Sequence, residues 1–155
     1  MSTLPAGLLL FDTGIYIRFS RHERYRWLGE DLRVFRRTIL TAVVAAELYA
    51  GTRDRREKQA LDRLCQSHLA LGGFSYPSGS VWIEAGTLLG IARRRVGHME
   101  FARHFRDLLI ALEATRAGAT LVTENFSDFE RWRGFIVSSG RTLKLFNPTG
   151  LNRLE

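Results

Sequence analysis

Short apolar runs alternate with longer helix-forming stretches along the whole of this chain, and each run ends on, or is broken by, a polar side chain that such a segment normally excludes. Leu8-Leu9-Leu10-Phe11 stops at Asp12, and Thr120-Leu121-Val122-Thr123 leads to Asn125, with Asp128 three residues on. Glu47 interrupts Ala42-Val43-Val44-Ala45-Ala46, and Asp107 opens Leu108-Leu109-Ile110-Ala111-Leu112. Strand–helix alternation of this kind predicts an α/β fold with a mostly parallel sheet. Such sheets bind ligands at the carboxyl ends of their strands, and Asp12 and Asn125 fall at those ends. A carboxylate beside a buried segment is costly unless it is paired, hydrogen-bonded or bound to a metal. Four such positions imply a shared acidic pocket, and acidic oxygen pockets bind divalent cations.

The length of 155 residues and a hydrophobic share of 45% suit a single domain over 1–155 with an ordinary core. No apolar run is long enough to span a membrane. The first eleven residues lack a basic segment and run straight into Asp12, which argues against a signal peptide. A cytoplasmic protein without a membrane is expected. The one cysteine, Cys65, excludes an internal disulfide and a cysteine metal site, and reads as a small buried hydrophobe. Formal net charge is +7 and most of the basic residues are arginine, a combination that attracts polyanions. Acids in apolar surroundings within a basic molecule are what a metal-dependent enzyme acting on a phosphate chain requires.

The periodicity predicts strands at residues 8–11, 38–40, 74–76 and 119–123, with one or two more within 135–146. Helices are expected from 13 to 19, from the second strand to about Gly51, over 58–71, from a cap at Ser80 to about Val96, over 98–104 and over 107–117. A helical turn is expected at 127–132.

Each polar position has a structural reading beside the functional one. Asp12 suits an N-cap, although Thr13 could cap in its place. Glu47 could be a solvent-facing glutamate paired with Arg53, but the helix around it offers no polar side. Asp107 could cap its own helix, where the helix N-terminus would favour its ionised form. Asn125 and Asp128 suit turn chemistry, and Thr123 could bond a phosphate. Tyr16, Phe19, Tyr25, Trp27, Leu28 and Phe35 interleave with arginines and could stack bases or line a partner groove, although core packing explains many such aromatics.

These segments, taken together and in order, resemble the PIN-domain nucleases, in particular VapC-type toxins of toxin–antitoxin modules. The resemblance implies a PIN-like three-layer α/β/α sandwich with a central, mostly parallel five-stranded sheet. It implies an endoribonuclease dependent on Mg²⁺ or Mn²⁺, an RNA substrate, a cognate antitoxin and a homodimer. It assigns catalytic roles to Asp12, Glu47, Asp107 and Asn125, with Asp12 and Asp107 as metal ligands. Asn125 stands where many members carry Asp, and Glu113 departs from the small residue usual at its position. The alternative is a catalytically inactive PIN-like module that binds RNA or a partner. A metal-independent ribonuclease using His22, His68, His98 or His104 is a further possibility. A phosphorylated receiver domain is opposed by the lack of an Asp after the third strand.

Overall fold

Leu9-Leu10-Phe11 and Thr120-Leu121-Val122 are buried along their whole length, the condition of inner strands in a sheet covered on both faces. The computed structural model describes residues 3–153. It contains β1 (Leu9–Phe11), β2 (Thr38–Thr41), β3 (Phe74–Ser75), β4 (Thr120–Val122) and β5 (Lys144–Phe146). They form one sheet in the order β3-β2-β1-β4-β5, with every pairing parallel. The expected mostly parallel sheet is thus wholly parallel and five-stranded. The register sets Leu10 beside both Ile39 and Leu121.

The helices are α1 (Thr13–His22), α2 (Trp27–Glu30), α3 (Leu32–Arg36), α4 (Ala42–Ala50), α5 (Arg55–Ala70), α6 (Gly79–Val96), α7 (Phe101–Ala117) and α8 (Phe126–Val137), followed by a 3-10 turn, Pro148–Arg153. No helix among the described residues is long and apolar enough to cross a membrane. Helix starts follow the sequence: Asp12, Thr41, Asp54 and Ser78 each accept a backbone N–H of the helix they precede. The sixth helix is therefore capped by Ser78 and not by Ser80. Gly118 closes α7 in the left-handed region, at φ +66°, and turns the chain into β4. Gly73 permits a close approach: a Cβ there would meet the Thr38 carbonyl oxygen at 2.9 Å and His68 Nδ1 at 3.1 Å.

Two expectations are corrected. Residues 98–104 and 107–117 do not form separate helices; Phe101–Ala117 is one continuous helix, so Asp107 lies in its second turn and caps nothing. The turn expected at 127–132 is a full helix through Val137, and of the one or two strands expected within 135–146 there is one, β5. The short helix α2 had no counterpart in the sequence reading.

The topology positions the site. The loops after β1, β2, β3 and β4 leave the same edge of the sheet, because the strands are parallel. Helix α7 ends at Gly118, which leads into the start of β4, so the helix begins on the carboxyl side of the sheet and runs away from it. Its buried run from Leu108 to Leu112 anchors it in the core, leaving Asp107 beside the strand ends.

Candidate active site

Asp12 is fixed by two donors. The Thr13 amide gives one carboxylate oxygen a hydrogen bond of 2.8 Å, and the Thr123 hydroxyl gives the other one of 2.9 Å. The cap is therefore Asp12 itself and not Thr13. The Thr123 side chain, fully buried after β4, also accepts the Asn125 amide at 3.0 Å. One hydroxyl thus ties the loop after β4 to the loop after β1, and it is committed to Asp12 rather than free for a phosphate.

Glu47 comes from the middle of α4 and is half-buried. Its partner is not Arg53, which pairs with Glu57, but Arg106, whose Nε lies 2.7 Å from Glu47 Oε1. Asp107, 3% exposed, comes from the second turn of α7, and Arg106 Nη2 lies 3.6 Å from its Oδ1. Asp107 Oδ2 is buried with no hydrogen-bond partner, and the Thr13 side chain lies beside Glu47, whose pKa it lowers.

The carboxylates of Asp12, Glu47 and Asp107 form one charge cluster. Burial raises the pKa of all three. The charge of Asp12 raises Glu47 and Asp107 further, and the Arg106 guanidinium lowers all three. Asp107 is raised to about 7, by burial first; Arg106 opposes the shift, while Asp12, Asp128 and Glu47 add to it. Its removal from water, not a helix N-terminus, governs its ionisation.

Asn125 stands at the rim. It is exposed, occupies the N-cap position of α8 without a side-chain cap, and donates to Asp128 Oδ2 at 3.1 Å. Asp128 also pairs with Arg103 at 3.0 Å and is close enough to act on Asp107. The structure thus gathers Asp12, Glu47 and Asp107 into one charge cluster with Arg106 and sets Asn125 and Asp128 beside it.

Glu113 does not face this cluster. It is buried between the ends of β2 and β3, where it accepts the hydroxyls of Thr41 and of Ser75, the latter at 3.1 Å. No histidine is among the groups that shift Asp12, Glu47 or Asp107. His22 and His98 are exposed; His68 is buried against Phe35, its pKa lowered by burial to about 4; His104 packs edge-on against Trp132. Tyr16 and Tyr25 are core residues, and Phe19, Trp27, Leu28 and Phe35 are half-buried, so packing accounts for the aromatics of 16–37.

No protein-family model matches the sequence, and no curated protein does. Solved structures do match. VapBC2 from Rickettsia felis, bound to a DNA fragment from its promoter, superposes with TM-score 0.60 at 20% identity, over 90% of this chain and 98% of the other. FitAcB from Neisseria gonorrhoeae gives 0.59 at 22%, over 91% and 98%. The chain has the PIN-like α/β/α fold. VapBC-1 from nontypeable Haemophilus influenzae gives 0.56 at 19%, over 92% and 98%. These likenesses extend over 90–92% of the chain.

One contributor to the site, Arg106, escapes the sequence, and another, Thr123, takes a different role from the one expected. Arg106 was one arginine among many in a basic chain, although it directly precedes Asp107. Thr123 was noticed, but its role depends on β4 lying beside β1.

Proposed function

We propose that this chain is an endoribonuclease dependent on Mg²⁺ or Mn²⁺, the toxin of a toxin–antitoxin pair. The carrying observation is Asp107: a carboxylate almost wholly buried, one oxygen without a hydrogen-bond partner, in a cluster with Asp12 and Glu47 at the carboxyl edge of a parallel sheet. All the donors are carboxylate or hydroxyl oxygens, the set preferred by hard divalent cations. Asp12 and Asp107 would hold the cation. When bound, it supplies neutralisation of phosphate oxygens and acidification of a water.

The protein residues do the rest. Thr123 and the Thr13 amide hold Asp12 in one orientation. Glu47 orients the attacking water and takes its proton, a role suited to a half-buried carboxylate whose pKa burial has raised. Asn125 and Asp128 shape the rim on which the scissile strand lies. A molecule of net charge +7 carries arginines able to grip flanking phosphates, which gives binding that weakens with salt. The matching VapBC and FitAB structures are complexes, and we extend to this chain a cognate antitoxin as protein partner, with a homodimer as the working assembly in the cytoplasm.

One observation favours a second reading, a PIN-like module that binds RNA or a partner without cutting. Among the described residues no three His, Cys, Asp or Glu side chains stand in a ready metal-holding arrangement, because Arg106 sits between two of the acids. An RNA cleavage assay with and without Mn²⁺ separates the two. Cleavage that needs Mn²⁺, stops with EDTA and is lost in Asp12→Asn supports the nuclease; RNA binding without Mn²⁺-dependent cleavage supports the module.

A further inference from the structure

We infer that Arg106 is a resident counter-ion of the acid cluster, seated where a divalent cation would go, so that metal binding requires its displacement. The inference rests on the acid site proposed above and adds a residue that competes for it.

The geometry is that of one guanidinium serving two helices. Its Nε reaches Glu47 on α4 at 2.7 Å, and its Nη2 reaches Asp107 on α7 at 3.6 Å. It also acts electrostatically on Asp12, so it is the cation common to all three acids. Other arginines that pair with carboxylates are engaged elsewhere: Arg103 with Asp128, Arg18 and Arg24 with Glu124, Arg21 and Arg53 with Glu57. A guanidinium holds carboxylate oxygens at about 2.7–2.9 Å and spreads its charge over a planar fork, whereas Mg²⁺ draws its oxygens to about 2.0–2.1 Å. Glu47 stands at guanidinium distance from Arg106 and Asp107 beyond it, so the acids must close in to grip a metal. That accounts for three acids which share a charge field yet form no ready metal-holding group.

Displacement is sterically open. The Arg106 side chain is 42% exposed, so it can swing into solvent while Asp107 stays fixed in the core. Asp107 Oδ2, buried and without a hydrogen bond, is the atom left for an incoming cation. Once out, the guanidinium lies at the mouth of the site, where its fork matches a phosphate.

Competition lowers apparent metal affinity by the fraction of molecules whose site is free of the arginine. Calorimetric titration of Mn²⁺ into the metal-free wild type, Arg106→Ala and Arg106→Lys, without RNA, tests this. Arg106→Ala should bind Mn²⁺ ~10-fold more tightly than the wild type, with Arg106→Lys between them. Circular dichroism establishes which variants are folded; if the alanine variant is not, the lysine variant decides. Binding by the wild type that is no tighter in the folded variants overturns the inference and leaves the acid site intact. Binding by neither wild type nor variants overturns both.

Discussion

Helix α7 carries two buried carboxylates six residues apart, and they are treated in opposite ways. Glu113 has both oxygens satisfied, by the hydroxyls of Thr41 and Ser75. Asp107 has one oxygen near the Arg106 guanidinium and the other, buried, with no hydrogen bond. Burial raises the pKa of each, but only Asp107 is surrounded by further acids. A carboxylate supplied with neutral donors is a strut between α7 and the ends of β2 and β3. A carboxylate crowded by like charges and left with a vacant oxygen is destabilised until a cation arrives. The contrast is between a buried acid satisfied by neutral donors and one left open to a cation.

The comparison breaks first on activity. Asp107→Asn should lower Mn²⁺-dependent RNA cleavage by ~10³-fold or more, an effect of the size seen when a group central to transition-state charge is removed. Glu113→Gln should retain most of the rate. Similar losses in both variants would erase the distinction.

The next largest effect is on stability against pH in EDTA. The folded pKa of Asp107 lies above its unfolded value, so between about 4 and 7 the native state binds the extra proton. Stability should therefore be full below about pH 4 and fall as pH rises through 7, by up to ~4 kcal/mol from this one group. Mn²⁺ should offset that loss, and Asp107→Asn should remove most of the slope. Glu113, also raised, contributes in the same direction, but its part should not respond to Mn²⁺. Chemical denaturation at pH 5 and pH 8, with and without Mn²⁺, measures all of these.

Smaller effects sharpen the contrast. Glu113→Ala removes the acceptor of two hydroxyls and leaves a cavity, and should cost ~2–3 kcal/mol while leaving Mn²⁺ affinity unchanged. Thr123→Val removes the hydrogen bond to Asp12 and the one accepted from the Asn125 amide, and should cost ~1–2 kcal/mol. Its effect on cleavage should exceed its effect on stability, because Asp12 would lose its fixed orientation; a thermal melt alongside a cleavage assay checks both.

Much of this arrangement was legible in the residues, and what was not has identifiable causes. Residues 8–11 read as a buried strand because a short, wholly apolar run suits no other place in the fold, and residues 119–123 read as a strand. Asp12, Glu47 and Asp107 could be grouped because each stands out against an apolar context. The true length of α7 was hidden by polar residues between His98 and Arg106, which made Asp107 look like a beginning. The signal against that reading was present: Phe101, Phe105, Leu108 and Leu112 continue one stripe at helical spacing. Glu113 could not be assigned a side, since its donors lie 72 and 38 residues away. Arg106 was invisible for the same reason, because its partner on α4 is supplied by helix packing and not by local sequence.

The central claim is that Asp12, Glu47 and Asp107 converge to hold a divalent cation. Calorimetric titration of Mn²⁺ into wild type, Asp107→Asn and Glu113→Gln tests it most directly. The account predicts saturable binding by the wild type, its loss in Asp107→Asn and its retention in Glu113→Gln. Wild-type affinity in Asp107→Asn would contradict it.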